Sequence, residues 1–140
     1  GNNFVDTILK LEKNGNELNV VSDQIGTPTY ASDLGLAILT VLKSEKFNRN
    51  EQESQIYHYS NKGFCNWYDF AKEINKILGS NCILNSIKTE DYLTTAKRPR
   101  STVMSTDKIS QEFDLKINYW KDSLKVCIKN LSVISVSNEN

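Results

Sequence analysis

Two short stretches concentrate the residue types that could do chemistry. The first runs Asp23-Gln24-Ile25-Gly26-Thr27-Pro28-Thr29-Tyr30. Pro28 stiffens its backbone and Gly26 permits a close approach, so Gln24 and Thr29 can meet a polar ligand at a small ordering cost. The second carries Lys97, Arg98 and Arg100, three cations within four residues of a chain that is otherwise neutral. Arginine presents a fork of donors suited to phosphate oxygens. Together they point to an anionic, oxygen-rich ligand. Each also has a plainer reading: a strand-to-helix turn capped by Thr29 or Ser32, and a solvated basic loop. Residue types and spacing alone do not separate these alternatives.

Other chemistries lack their residues. There is no G-x-G-x-x-G and no P-loop, so nothing cradles a dinucleotide pyrophosphate or a triphosphate. No G-x-S-x-G elbow is present, and His58 is the only histidine, which removes a serine triad and an H-E-x-x-H zinc site. His58 lies in the alternating run Ile56-Tyr57-His58-Tyr59-Ser60, where a structural role is the ordinary one. Cys65, Cys82 and Cys127 are isolated and odd in number. They read as idle or buried thiols of a reducing, cytoplasmic compartment rather than a disulfide frame or a zinc site. Glu90-Asp91 reads as a solvated pair at a helix start.

The elements that must position the two stretches follow from periodicity. Phe4, Ile8 and Leu11, widened by Val5 and Leu9, predict a helix over 3–14, capped by Asn3 and ended by Gly15. Leu18-Asn19-Val20-Val21 reads as a strand, and Ser22 to Tyr30 as a loop. Residues 31–44 predict a helix apolar over much of its surface, hence largely buried. A polar tract follows from Ser44 to Gln55. Ile56–Ser60 reads as a strand turning at Asn61-Lys62-Gly63. Asn66 caps a helix from Trp67 to Leu78, with Trp67, Phe70, Ile74 and Ile77 inward and Gly79 closing it. Residues 82–87 read as a third strand. The loop with the cations comes next, then helices over Thr106–Phe113 and from Tyr119 to about Leu131, and a frayed tail over 132–140. Three short strands are too few for a doubly wound sheet with a nucleotide crevice.

Composition sets the class. The chain has 140 residues with 39% hydrophobic content, enough for one compact domain. Lys and Arg total 17 against 17 Asp and Glu, which argues against a nucleic-acid or membrane-surface binder. The longest mostly apolar stretch, Leu34–Leu42, falls well short of the roughly 20 residues a membrane span needs. The start, Gly1-Asn2-Asn3, has neither an initiator Met nor a signal sequence and reads as a processed chain or, the favoured reading, a piece cut from a longer one.

The pattern Gly1-Asn2-Asn3-Phe4-Val5, then Leu18-x-Val20-Val21-x-Asp23-Gln24-x-Gly26-x-Pro28-Thr29, strongly resembles the carboxyl half of the dTDP-4-dehydrorhamnose reductases. These are extended short-chain dehydrogenase/reductases. The resemblance continues through Ile56–Ser60, Trp67-Tyr68-Asp69-Phe70-Ala71, Arg98-Pro99-x-x-Thr102-x-Met104-x-x-x-Lys108 and Trp120-Lys121-Asp122-Ser123-Leu124. It covers nearly the whole chain, and the D-Q-x-G-x-P-T block is its most specific part. Thr102 and Met104 depart from the usual Ser and Leu.

The resemblance implies an α/β fold, α+β as an isolated piece, with few short strands and about five helices. Residues 1–131 would be a substrate-binding domain, with the amino-terminal Rossmann domain absent. The whole enzyme would pass hydride from NADPH or NADH to dTDP-4-dehydro-L-rhamnose, giving dTDP-L-rhamnose for bacterial surface polysaccharide. The family's glycine-rich loop and Tyr-x-x-x-Lys pair would lie in the absent domain, since no tyrosine here has such a lysine in the right surroundings. The piece alone would then be inactive, with no catalytic residue of its own. Its role would be to close over the sugar nucleotide through Asn3, Gln24, Gly26, Pro28, Thr29 and Arg98. Magnesium, which some members bind through carboxylates, stays open.

Two alternatives share the architecture. One is a non-catalytic binding subunit, like the regulatory subunit of methionine adenosyltransferase. The other is a nucleotide-sugar epimerase or dehydratase relative, against which the D-Q-x-G-x-P-T block weighs. In the whole enzyme, Ile56–Ser60 would pair with the cofactor domain's sheet and the first apolar helices would pack against that domain. Cut away from it, the piece would expose a strand edge and apolar surface, and so self-associate.

Overall fold

The computed structural model describes residues 3–13, 17–48, 54–92 and 97–137. The chain divides into two compact units, each assembled from two stretches of sequence. One comprises residues 1–26 and 64–102, the other residues 27–63 and 103–140.

The first unit is built on α1 (Phe4–Lys13), α3 (Trp67–Leu78) and two small strand pairs. Asn3 Oδ1 accepts from the Asp6 N–H at 3.0 Å while its amide donates to the Asp6 carboxylate at 2.7 Å, a reciprocal cap that starts α1. Gly15, expected to end this helix, lies outside the described residues. The N-terminus of α3 is held by Asn66, whose Oδ1 accepts from the Asp69 N–H at 2.7 Å. Gly79 closes the helix at φ 66°, the left-handed conformation glycine adopts without strain. Between these caps, Phe70, Ala71 and Ile74 are buried. Phe4 meets the rings of Trp67 and Phe70 at 4.9 and 5.7 Å.

Beneath α3 lie β1 (Leu18–Val21) and β4 (Leu84–Ile87), paired in parallel from Leu18–Leu84 to Val21–Ile87. The loop read over 22–30 contains a strand of its own. Here β2 (Ile25–Gly26) pairs antiparallel with β3 (Cys65–Asn66), and Ile25 also bridges Ser101.

The second unit holds α2 (Ala31–Lys43), α4 (Asp107–Phe113) and α5 (Trp120–Ser137). Its core gathers Ile109, Phe113 and Ile117, against which Val41, Tyr57, Tyr59 and Leu115 pack. Three expectations need correction here. Ile56–Ser60 is not a strand. Its side chains alternate, Tyr57 and Tyr59 inward, Ile56 and His58 outward. The period-2 pattern therefore marks a half-buried extended segment, and no neighbouring strand completes a ladder among the described residues. Helix α2 is not largely buried: Ala37 is its one buried residue, while Leu36 is 64% exposed and Ile38, Leu39 and Leu42 are about half exposed. Only the face with Asp33, Ala37 and Val41 is turned inward. An all-round apolar composition cannot say which of its faces has a partner. Finally, α5 runs on to Ser137, past the expected end near Leu131, because no Gly or Pro interrupts its hydrogen bonds. Among the described residues no helix is long and apolar enough to cross a membrane.

Candidate functional site

The first unit brings the two chemistry-bearing stretches together. Strand β2 lies between β3 and the segment that follows the arginines. The Ile25 N–H donates to the Arg100 carbonyl at 2.8 Å, and the Thr102 N–H donates back to the Ile25 carbonyl at 2.9 Å. Gly26 is what allows this approach. A Cβ there would stand 2.9 Å from Thr102 Oγ1, closer than real Cβ contacts come.

Upstream, Asp23 and Gln24 are tied to the turn after β4. The Thr89 N–H and hydroxyl both donate to Asp23 Oδ1, at 3.0 and 2.7 Å. Gln24 Nε2 donates to the Thr89 hydroxyl oxygen at 3.0 Å. The Thr89 hydroxyl holds the Asp23 carboxyl below the ordinary carboxylate pKa, and Arg100 adds a smaller push the same way. Gln24 is buried. Lys97, Arg98 and Arg100 are exposed, with no ion pair of the arginines among the described residues. The two arginines thus stand on a segment that is itself pinned to β2.

The remaining expected residues take no part in these hydrogen bonds. Asn3 belongs to the same unit, but both groups of its side chain are engaged with Asp6. Pro28 and Thr29 belong to the second unit, where Thr29 is exposed and its hydroxyl donates to the Thr27 carbonyl at 3.3 Å. What holds this stretch is Asn61, 2% exposed, whose Oδ1 accepts from the Tyr30 N–H at 2.8 Å. The Asn61 amide donates in turn to Asp33 at 2.6 Å and to Ser123 at 3.1 Å. Beside this network a cavity of about 250 Å³ is lined by Asp33, Thr40, Tyr59, Lys116 and Asn118 among others. Burial, and then the Asp33 charge, raise the Tyr59 pKa above its usual value.

Sequence reasoning missed Thr89, Asn61, Asp33 and Ser123. Their partners lie 28 to 90 residues away along the chain, and no local pattern marks such contacts. Tyr68 and Lys72 have the Tyr-x-x-x-Lys spacing without the family's surroundings. They sit one turn apart on α3, with the ammonium 5.5 Å from the ring centroid, a cation–π contact of a helix surface.

A dinucleotide does not fit these residues. Strand β1 leads into Ser22-Asp23-Gln24 and β2, where a glycine-rich turn into a helix would be needed. Among the described residues no cluster of three or more His, Cys, Asp or Glu side chains could hold a metal ion.

The family model described as the RmlD substrate binding domain matches residues 1–133. The chain belongs to this family. A dTDP-4-dehydrorhamnose reductase of Aggregatibacter actinomycetemcomitans is 39% identical over 89% of this RmlD-family chain and 44% of its own length. The spore coat polysaccharide biosynthesis protein SpsK of Bacillus subtilis is 37% identical over 94% of this chain and 44% of its own. The chain thus spans a little under half the length of these relatives.

Among solved structures, a dTDP-4-dehydrorhamnose reductase of Clostridium acetobutylicum superposes with a TM-score of 0.83 at 36% identity, covering 94% of this chain and 45% of that one. One from Bacillus anthracis in complex with NADP gives 0.79 at 32%, over 89% and 42%. A dTDP-glucose 4,6-dehydratase of the same organism, 14% identical, shares the fold with a TM-score of 0.68 over 91% and 38%. The fold of this RmlD-family chain is thereby the α/β fold of a substrate-binding portion, with five α-helices and few short strands among the described residues.

Proposed function

We propose that this chain is the part of a dTDP-4-dehydrorhamnose reductase that closes over the sugar nucleotide. The whole protein reduces dTDP-4-dehydro-L-rhamnose to dTDP-L-rhamnose in the cytoplasm. NADPH or NADH is held by an amino-terminal domain, so the chain alone is inactive. The observation that carries this reading is the pinning of the arginine segment to β2 through Ile25, Arg100 and Thr102. That arrangement offers guanidinium forks for the diphosphate beside Gln24, whose amide can face the neutral part of the ligand. The relatives' names support the substrate class, and the relative with bound NADP supports the cofactor. The exposed apolar face of α2 supports self-association of the piece.

Titration of the chain with dTDP, followed by amide resonances, tests the reading. Shifts are expected at Asp23–Gly26 and Arg98–Thr102. Arg98→Ala is expected to cost about 1–3 kcal/mol of affinity, the range for a charge-assisted contact to phosphate. A dissociation constant within about twofold of the unsubstituted chain would leave Arg98 as a solvated loop residue.

A further inference from the structure

We infer that Thr89 is a positioning residue that fixes the Gln24 amide with its oxygen outward, so that Gln24 selects a hydrogen-bond donor on the ligand. The identity of the ligand rests on the sugar-nucleotide reading above. The orientation follows from the direction of hydrogen bonds alone.

The Thr89 hydroxyl carries one proton, and it lies 2.7 Å from Asp23 Oδ1. An ionised carboxylate accepts and cannot donate, so the proton points to Asp23. Asp23 is ionised at neutral pH, since its pKa is held below the usual value. With its donor committed, Thr89 Oγ1 can only accept from the Gln24 atom 3.0 Å away. That atom is therefore the NH2 group and not the amide oxygen.

A planar amide held by its nitrogen turns its oxygen elsewhere. Gln24 is 8% exposed, and its Oε1 has no hydrogen-bond partner among the described residues, yet it is not among the atoms sealed from solvent. It is a fixed, mostly desolvated acceptor still open on one side. A ligand hydroxyl or an imide N–H satisfies it. A phosphate oxygen does not, because two acceptors would face each other. Gln24 thus reads the base or the sugar, and the diphosphate falls to the arginines.

The test compares the chain with Thr89→Val and Thr89→Ser. Valine keeps the shape and the backbone N–H to Asp23 but removes the hydroxyl, and serine restores it. Binding of dTDP-L-rhamnose is expected to weaken about fivefold in Thr89→Val and to recover in Thr89→Ser. The Gln24 side-chain NH2 resonances should shift in Thr89→Val without ligand and should not in Thr89→Ser. N3-methylated dTDP distinguishes the two sources of the donor. If methylation removes the Thr89-dependent part of the affinity, Gln24 reads the base; if that part appears only with dTDP-L-rhamnose, it reads a sugar hydroxyl. Unchanged affinity in Thr89→Val, or failure of serine to restore it, overturns the inference. Should the unsubstituted chain bind neither nucleotide, the sugar-nucleotide reading falls by itself. The NH2 resonances then decide the orientation: no response to Thr89→Val overturns it.

Discussion

Asp23 and Gly26 show how much of the site depends on single atoms. Asp23 owes its depressed pKa first to the Thr89 hydroxyl. A carboxylate whose folded pKa is lowered contributes stability that is present above its unfolded value, near 3.8, and lost as pH falls through the folded value. Removing the hydroxyl in Thr89→Val should therefore raise the Asp23 pKa toward 3.8. The stability gap between the two proteins should also narrow as pH drops below about 4. Carbon-detected titration of the Asp23 carboxyl checks this, and an unmoved pKa would show that another group sets it. Gly26→Ala tests the close approach to Thr102. The 2.9 Å contact is with a side-chain oxygen, so the cost should be modest, about 1 kcal/mol. It should shrink when Thr102→Ala is added, a coupling that a double-mutant cycle reads from chemical denaturation.

At the scale of elements, the turn from Asn61 to Gly63 is a tight joint of the second unit. Gly63 sits at φ 86°, and a Cβ there would lie 2.3 Å from Tyr119 Cε2 and 3.0 Å from Trp120 Cδ1. The Lys62 N–H to Asn118 carbonyl and Trp120 N–H to Lys62 carbonyl bonds fix both sides, at 2.8 and 3.0 Å. Gly63→Ala combines an unfavourable backbone conformation with a ring in the way, so it should cost at least about 2 kcal/mol. Thermal unfolding that matched the unsubstituted chain would mean that the turn rearranges freely.

Helix boundaries of this kind were legible because their causes are local. Asn66 and Gly79 bracket α3 as read, and the Asn3 cap lies three residues from its partner Asp6. Strand partners were not legible. Ile25 meets Ser101, and Asp23 meets Thr89 66 residues on, contacts decided by packing rather than by neighbours in sequence. For the same reason the alternation in Ile56–Ser60 revealed a half-buried extended segment but not whether a strand lay beside it. The loops of the candidate site were recognisable by composition, whereas the threonine that orients Gln24 was not.

At the scale of the whole molecule, the chain spans a little under half the length of its relatives, and α2 leaves apolar surface uncovered. Leu36, Ile38, Leu39 and Leu42 are 49–64% exposed, and a Cβ on Gly35 beside them would meet nothing within 4 Å. Burying such a side chain fully is worth about 1.5–3 kcal/mol, so each could still gain roughly 1 kcal/mol by meeting a partner. Four of them on each copy give roughly 8 kcal/mol, about 4 kcal/mol more than the lower end of the roughly 4–15 kcal/mol that association costs in lost freedom. Self-association through this face should therefore be weak and visible only toward millimolar protein, where about 4 kcal/mol of net binding suffices. Sedimentation velocity across that range should show dimers or larger species for the unsubstituted chain. Leu36→Lys combined with Leu39→Lys should restore the monomer without lowering the unfolding temperature, because neither side chain supports the folded core. A strictly monomeric profile of the unsubstituted chain at millimolar concentration would mean that the α2 face does not drive contact between copies.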